Sequence, residues 1–420
     1  MRYLMRCLFI GVMTLVLVVP VYSGGQAEDA PDGEVELRVL QPGIDQPGLR
    51  EGTEVIIEEY EAANPNVSIE LESIGWGDAY QALTTDFLAG DAPDIIYSGT
   101  RWIPAFAAMD ALLDMNEYVS EEKTSTFPDG IMQGQYFDDG LYGLPVAFST
   151  KVLYYRTDLI DTPPRTWDEL LETAVSVSEE HDDVHGMGIP GASHVGTVQH
   201  FSKFLHQAGG AFFDDNGDVA LETPEAAEAL RFYTELYTEH EVTPNPTEFN
   251  REELPTLFGE GSLAMHINGP WARLIMDLDP DNEEAPYATT VLPSHRRSGG
   301  LQGGDSLVVW SGTEHPEVAV DFIDFWTSFE QHTEYIRLHG LVPMVEGQAE
   351  LEDFQDDFWH PFIEMIDDGY PEPQPLAWEP FEEIISDMIQ NVLLGELSVE
   401  AALESAAQEI RDEEIQPSDI

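Results

Sequence analysis

The sequence predicts an α/β fold of two lobes with a ligand cleft between them. The chain opens with strand-like and helix-like segments in alternation, which indicates a mostly parallel sheet with helices on its faces. Its 420 residues are too many for one small core, and no low-complexity linker divides them cleanly. We therefore expect two lobes that are joined by several crossings of the chain.

The amino-terminal third carries the alternation. Apolar and polar residues alternate over Glu34–Leu40 (EVELRVL), the pattern of a half-buried strand. Helical spacing follows over Glu51–Ala63 and ends at Asn64, because the residue before a proline disfavours the helical conformation. A strand, a helix and a strand are predicted next, over Val67–Glu72, Asp78–Leu88 and Asp94–Tyr97.

The remainder continues in the same style. Thr166 and Thr223 are predicted N-caps, and a proline follows Thr223 at the first helical position. Leu263–Ile267 is an apolar run that predicts a buried strand, and Gly269-Pro270 ends it just before Trp271. The other predicted elements are a strand over Val152–Tyr155 and helices over Thr166–Glu179, Pro316–Phe329, Phe381–Leu394 and Ser398–Arg411.

The charge of the chain excludes some classes of function. Lys and Arg total 17 against 81 Asp and Glu, a net charge of −64. Such a field repels nucleic acids and anionic membrane surfaces, so we expect no nucleic-acid partner. Self-repulsion weakens the compact state at low salt, and high ionic strength relieves it. We interpret the acidity as an adaptation to a salty medium.

The amino terminus resembles an export signal. Arg2 and Arg6 precede the apolar run Leu8–Val19, and small residues fit cleavage after about Ser23. We therefore expect a signal peptide over residues 1–23 and a disordered, acidic lead-in over residues 24–33. The single cysteine, Cys7, lies inside the signal, so the mature chain would have no disulfide and no lipid-anchored cysteine. A soluble exported protein, periplasmic or extracellular, is predicted.

Motifs for catalysis and for cofactors are absent from the sequence. It contains no GxSxG, HExxH or P-loop, and no GxGxxG follows a predicted strand. Asp214–Asp218 (DDNGD) resembles a calcium loop, but Val219 stands where that loop needs glycine. His194, His200 and His206 are six residues apart and share no helical face. We expect no cofactor, no metal and no catalytic residue, although a pair of carboxylates for glycoside hydrolysis stays open.

Several tryptophans stand at loop junctions instead of inside periodic runs. Aromatic rings pack on the C–H faces of sugars, so a cleft lined with them suits a carbohydrate. The alternative is that each ring fills the core, which we prefer for Trp310 and Trp326. The candidates for a binding role are Trp76, Trp102, Trp271 and Trp378. Ligands of such sheets bind at the carboxyl ends of the strands, which adds Ser98 in the loop Ser98–Trp102.

Four stretches resemble a known family. They are Phe87–Ile96, the segment from Leu141 that ends in PRTWDEL, Phe258–Trp271 (FGEGSLAMHINGPW) and Val392–Ile410. In this order they are similar to the extracellular solute-binding proteins of ABC importers, specifically the carbohydrate-binding group. The resemblance covers nearly the whole chain. It implies a periplasmic-binding-protein-like fold with three crossings, in which residues 34–146 and 306–350 form one lobe and residues 151–301 and 351–420 the other.

The resemblance also implies binding residues. Trp271 is similar to a second-lobe tryptophan that stacks on a sugar ring, and Trp76 and Asp78 stand in a first-lobe loop that contacts the ligand. Ser149 lies at the first crossing, where the maltose-binding relative has an acid, and this departure weakens the case for maltose. The remaining implied positions are Gly303, Gly304 and Asp305 at the second crossing and Trp378 near the carboxyl terminus.

The favoured function is the binding of a sugar for import by membrane permease subunits, by a monomer that closes around its ligand. Another polyol or a glycerol-phosphate-type solute is the first alternative, although only Arg101 stands in a predicted cleft loop to bind a phosphate. A secreted carbohydrate-active enzyme and a surface adhesin are the alternatives from other classes of protein.

Overall fold

The computed structural model describes residues 33–46, 49–214, 216–276 and 286–417. The predicted signal peptide and almost all of the predicted lead-in lie outside these residues. The strands of the described chain, β1 to β11, are Val35–Pro42, Val67–Ile74, Ile95–Gly99, Tyr136–Phe137, Gly140–Leu141, Gly143–Ser149, Val152–Arg156, Met265–Asn268, Tyr287–Thr290, Leu301–Val309 and Tyr370–Pro371.

The helices of the same residues are numbered α1 to α15. They are Arg50–Ala63, Trp76–Ala89, Ile103–Ala108, Glu121–Thr124, Asp129–Gln133, Trp167–Glu180, Val195–Ala208, Pro224–Thr238, Leu254–Gly259, Ala272–Met276, Pro316–Trp326, Phe329–His339, His360–Asp367, Trp378–Leu393 and Val399–Asp412. None of them combines the length and the apolar character that crossing a membrane requires.

The larger sheet has the strand order β11-β10-β3-β1-β2, and β6 also pairs with β10. Strand β1 is parallel to β2 and to β3, as the opening alternation predicts. Strand β10, however, is antiparallel to both β3 and β6. The predicted mostly parallel sheet is confirmed for three of its five strand pairings, and the two antiparallel pairings arise because β10 returns from the second lobe and enters the sheet from the opposite direction.

A smaller antiparallel sheet of β8, β7 and β9 forms the centre of the second lobe. Its strands are buried, and the helices α7, α8, α14 and α15 pack against one another beside it. In the first lobe, α1 packs against α11 and α12 beside the larger sheet. The chain thus forms two α/β lobes, each with its own sheet and its own helices.

The lobes are joined at three places along the chain. Only Thr150 and Lys151 separate β6 in the larger sheet from β7 in the smaller one. The chain returns between β9 and β10, and crosses again between α12 and α13. The Thr150 hydroxyl donates a 2.8 Å hydrogen bond to the backbone oxygen of Phe362, which ties the first crossing to the third. The exact lobe boundaries of the sequence analysis stay a prediction.

Local sequence signals placed most helix ends correctly. Thr166 and Thr223 cap α6 and α8, because their hydroxyls accept hydrogen bonds from the backbone N–H groups of Glu169 and Ala226. The predicted helix Pro316–Phe329 corresponds to α11, which ends at Trp326, and a separate helix that was not predicted, α12, begins at Phe329. Ser328 has extended backbone dihedrals at the start of α12, so the helical path is broken there.

Candidate functional site

A cavity of about 70 Å³ lies between the two lobes. The first lobe supplies one wall, the second lobe supplies the opposite wall, and the crossing strands β6 and β10 form the floor. Its lining residues include Gln41, Trp76, Tyr97 and Arg101 from the first lobe, Lys151, Gln199, Arg251, Glu252 and Trp271 from the second, and Ser149, Gly303, Gly304 and Asp305 from the crossings. The cavity is thus at the position where the sequence predicts the ligand cleft.

Trp271 is placed by the end of strand β8. Asn268 is the last residue of the strand, and the carbonyl of Gly269 accepts a 2.8 Å hydrogen bond from the Tyr154 hydroxyl. The Trp271 ring folds back over Gly269, where a Cβ atom would lie under 3.0 Å from three ring carbons. The Gly-Pro pair therefore both ends the strand and makes room for the ring at the cavity.

Trp76 enters the cavity from the first lobe at the start of α2. Its ring packs at 5.7 Å from the ring of Trp102, which is buried behind it, and its indole nitrogen side lies against Gly43. The Arg101 guanidinium lies 4.6 Å from the centre of the Trp102 ring and 5.6 Å from that of Trp76. These cation–π contacts hold the buried guanidinium at the cavity wall.

The floor of the cavity is formed where the crossing strands pair. Gly303 lies opposite Ser149, and the register shifts between Asp305 and Ser306, which marks a β-bulge. Bulges redirect side chains, and this one lies beside the Asp305 carboxyl that lines the cavity. Burial raises the pKa of that carboxyl to about 6, although Arg101 opposes the shift.

A chain of polar contacts runs along the second-lobe wall. Arg251 Nε donates to Glu252 Oε1 at 3.1 Å, and its guanidinium also donates to Gln199 Oε1. The amide of Gln199 donates in turn to Glu372 Oε1. Glu372 Oε2 then lies 3.5 Å from the Arg101 guanidinium of the first lobe. This chain links the two lobes beside the cavity.

Lys151 differs from Arg101 and Arg251, because its polar contact at the cavity is with a neutral hydroxyl and not with a carboxylate. Its ammonium donates a 2.6 Å hydrogen bond to Ser149 Oγ and lies 4.2 Å from the centre of the Trp271 ring. Burial lowers its pKa well below the usual range for a lysine, and nearby Arg251 adds to that effect. Lys151 thus covers one face of the ring that the sequence predicts as a stacking platform.

Six of the ten predicted binding residues line the cavity. They are Trp76, Ser149, Trp271, Gly303, Gly304 and Asp305. Asp78 is exposed in the first turn of α2 and does not line it. The structure brings the six together from four separate parts of the chain. Their contact with a ligand stays a prediction.

The other three predicted residues are buried beneath the wall, and we revise their role accordingly. Ser98 is fully buried, and its hydroxyl donates to the backbone oxygen of Gly99. Trp102 is 1% exposed behind Trp76. Trp378 is also 1% exposed, and its indole nitrogen donates a 2.6 Å hydrogen bond to Glu382 while its ring supports Arg101. These side chains position the wall and do not form its surface.

Sequence reasoning missed the charged members of the wall, chiefly Lys151 and Arg251, and it missed Gln199 as well. The signal that could have found Lys151 is the rarity of lysine in this chain. The chain has only three lysines, Lys123, Lys151 and Lys203, among its 81 acidic residues, so each lysine position is informative. Two of the three are near this cavity. Arg101 was recognised in a cleft loop, and the structure adds two further cations beside it.

Other candidate ligand sites of the described residues are weaker. Glu235, Glu239 and His240 could together hold a metal ion, but they lie partly exposed at the end of α8. In the turn that resembles a calcium loop, Asp214 Oδ1 accepts hydrogen bonds from the backbone N–H groups of Asn216 and Asp218. This carboxylate is therefore used to close the turn. His194 is also used locally, since its Nδ1 accepts from the backbone of Gly196 and caps α7.

Comparison with known proteins defines the class. The family model of bacterial extracellular solute-binding proteins matches residues 46–332, more than half of the chain. The chain therefore belongs to that family. The predicted family resemblance is confirmed.

Individual relatives agree with this assignment over most of their length. A putative binding protein of Brucella abortus (strain 2308) is 26% identical over 91% of this chain and 93% of its own length. A maltotriose-binding protein of Pyrococcus abyssi is 24% identical over 87% of this chain and 80% of its own length. An uncharacterized lipoprotein of Streptomyces antibioticus is 28% identical over 74% of this chain and 72% of its own length.

A solved structure confirms the fold. An ABC transporter solute-binding protein of Thermotoga lettingae, crystallised with α-D-tagatose, superposes with a TM-score of 0.83 at 27% identity. The match covers 90% of this chain and 99% of the other. The two-lobed periplasmic-binding-protein-like architecture that the sequence predicts is therefore confirmed.

Proposed function

We propose that this protein captures a saccharide in the cleft between its lobes and delivers it to the membrane subunits of an ABC importer. The observation that supports it most directly is the cavity with Trp76 on one lobe and Trp271 on the other. Two aromatic residues on opposite walls, with polar groups at the floor, form the kind of surface that binds the C–H faces and hydroxyls of a sugar. One relative is named for the binding of maltotriose, and one similar solved structure holds tagatose.

We further propose that binding leads to no chemical step. Two of the carboxylates at the cavity are committed to guanidinium groups, Glu252 to Arg251 and Glu372 to Arg101. Glycoside hydrolysis needs a free acid and a second free carboxylate on either side of the bond that breaks. This pairing favours a binding protein over a secreted enzyme of the same fold class.

Export as a soluble protein is also proposed, on the residues of the amino terminus. Cys7 is the only cysteine and stands inside the apolar run, whereas a lipid-anchored relative needs a cysteine just after it. We expect the mature chain to begin near Gly24 without an acyl group. Mass spectrometry of the exported protein checks this, and an acylated amino terminus would contradict it.

The test of the proposed function is a thermal-shift screen of mono- and oligosaccharides at high salt. A ligand that binds only the folded chain raises the melting temperature. At a free ligand concentration of a hundred times the Kd, the free energy of unfolding rises by about 2.7 kcal/mol. Trp271→Ala should lose most of this shift and keep the melting temperature of the empty protein. Trp310→Ala, at the far end of β10, is the matched control and should keep the shift. A panel in which no saccharide shifts the wild type would refute the proposal.

A further inference from the structure

Four of the few basic residues of this chain lie at or directly behind the cavity. Only 17 of its 420 residues are Lys or Arg. These four side chains are nearly buried: Arg101 is 3% exposed, Lys151 4%, Lys203 1% and Arg251 7%. Buried cations are costly and need partners, so their presence here in so acidic a chain calls for a physical reason.

Two of the four are neutralised within the protein. Arg251 pairs with Glu252, and Arg101 pairs with Glu372. Lys203 lies behind the wall, where its ammonium donates a 2.8 Å hydrogen bond to the backbone oxygen of Gln199. Its charge adds to the positive potential at Lys151 without entering the cavity.

Lys151 is different, because it lines the cavity and forms no ion pair with any carboxylate of the described chain. Its polar partner is the neutral hydroxyl of Ser149, and its other neighbour is the Trp271 ring. An ammonium that is 4% exposed and has no carboxylate in direct contact is destabilised by burial, although the charges of Asp305, Glu372 and Glu252 partly offset this. An anionic group in the cavity would provide the missing counter-ion.

We propose that the ligand is an anionic saccharide whose carboxylate or phosphate binds at Lys151, with Arg251 beside it. This inference rests on the proposed function and specifies the class of sugar. The anionic group would draw the ammonium away from the Trp271 ring, since an ion pair in a buried site is stronger than a cation–π contact. The face of the ring that Lys151 covers in this structure then becomes available to the sugar.

The overall charge of the chain gives these cations a second role. A surface of net charge −64 repels an anion, and at high ionic strength that repulsion is confined to short distances. Inside the cleft Lys151 and Arg251 would attract an anion over a short distance, although Glu252 and Asp305 line the same cavity. A neutral sugar would need neither the screening by salt nor the nearby cations, because its hydroxyl groups can also bind to amides and backbone groups.

The experiment compares matched pairs of sugars by isothermal titration calorimetry at one fixed, high NaCl concentration. The pairs are D-galactose with D-galacturonate, and D-glucose with D-glucuronate and D-glucose 6-phosphate. We expect at least one acidic member to bind tenfold or more tightly than its neutral partner. The carboxylate and phosphate arms then identify which anionic group the site accepts.

Lys151→Met is the variant that tests the assigned residue. It should reduce the preference for the acidic sugar at least tenfold. Lys123→Met is its matched control: it removes the same charge from a lysine that pairs with Asp324 in the first lobe, and should leave the preference unchanged. A melting curve of each variant verifies folding, and if Lys151→Met does not fold, Lys151→Gln takes its place.

The outcomes separate this inference from the proposed function. If neutral sugars bind as tightly as their acidic partners or more tightly, the inference is wrong and saccharide capture stands. If acidic sugars are preferred equally by the wild type and the Lys151 variant, the assignment to Lys151 is wrong. If none of these sugars binds but a neutral saccharide of the thermal-shift screen does, the inference is wrong and saccharide capture stands. If no saccharide of that screen shifts the melting temperature either, the proposed function itself is refuted.

Discussion

At the scale of single residues, the Gly269–Pro270–Trp271 corner shows how a strand end becomes part of a binding surface. The ring of Trp271 lies over the Cα position of Gly269, so that residue has no room for a side chain. The strand before it is fixed by its pairing with β7, and Asn268 donates a 3.1 Å hydrogen bond to the backbone oxygen of Arg251. One corner thus positions both an aromatic ring and a cation of the wall.

Gly269→Ala should displace the Trp271 ring without unfolding the protein. The added methyl group would collide with a rigid ring, and the ring must turn away from its place at the cavity. We expect saccharide affinity to fall about tenfold, which is about 1.4 kcal/mol, measured by calorimetric titration. Gly33→Ala is the control, because a Cβ atom there meets nothing within 4 Å. Unchanged affinity in Gly269→Ala would show that the ring does not contact the ligand.

Residue-level prediction from the sequence succeeded where a local signal existed. Trp76 and Trp271 stand at the ends of elements close to glycine or proline, and both line the cavity. Trp102 and Trp378 share that local setting but are buried, because neighbouring elements cover them in the folded chain. Nothing in the sequence near Lys151 distinguishes a lysine that faces the cleft from one that faces solvent.

At the scale of elements, the segment between β11 and α14 connects the two lobes through one side chain. Glu372 accepts a hydrogen bond from Gln199 of α7 and pairs with Arg101, which follows β3. Behind this pair lies a second cavity of about 310 Å³, which Glu372 and Arg101 also line. Arg101 lines both cavities, so the ion pair lies between the first cavity and the second.

Glu372→Ala should lower the free energy of unfolding by about 3–5 kcal/mol, because removing one partner of a buried ion pair leaves the other charge uncompensated. The measurement is urea denaturation at a fixed, high NaCl concentration. Glu400→Ala is the matched control: Glu400 pairs with Arg231 at the surface, and such pairs contribute about 1 kcal/mol or less. Equal losses in the two variants would contradict the structural role of Glu372.

Element boundaries were largely predictable, since helix caps and apolar periodicity are local features of the chain. The topology of the larger sheet was not, because the placement of β10 between β3 and β6 depends on contacts between residues far apart in sequence. The break between α11 and α12 was also missed. The apolar spacing continues across Thr327 and Ser328, whereas the backbone at Ser328 is extended.

At the scale of the whole molecule, the chain is strongly acidic, but several of its few basic side chains are buried. The net charge of −64 comes from acidic residues, while four of the few cations are buried beside the cleft. Exposed like charges repel one another and oppose compaction, and dissolved salt screens them. The two-lobed architecture was predictable from the family resemblance, but the cavity was not, because its lining residues come from distant segments of the chain.

The stability of the protein should rise with salt. Between about 0.1 M and about 1 M ionic strength the Debye length falls from about 10 Å to about 3 Å, which removes most of the repulsion between exposed carboxylates. We expect the urea midpoint of unfolding to increase over this range, and NaCl and KCl to act alike, because screening depends on ionic strength. A midpoint that does not change, or falls, would contradict the interpretation of the acidic surface.

Closure of the lobes is the central claim, because the cavity exists only while both walls face each other. Gly340 of the first lobe lies against Trp271 and Leu274 of the second, and Gly77 lies against His194. A ligand that binds between such walls shifts the population towards the closed form.

Small-angle X-ray scattering at fixed high salt, with and without a saturating sugar, measures this directly. We expect the radius of gyration to decrease on binding, and the scattering of the loaded protein to match the structure described here. A sugar that binds with full occupancy and leaves the radius of gyration unchanged would contradict capture by lobe closure.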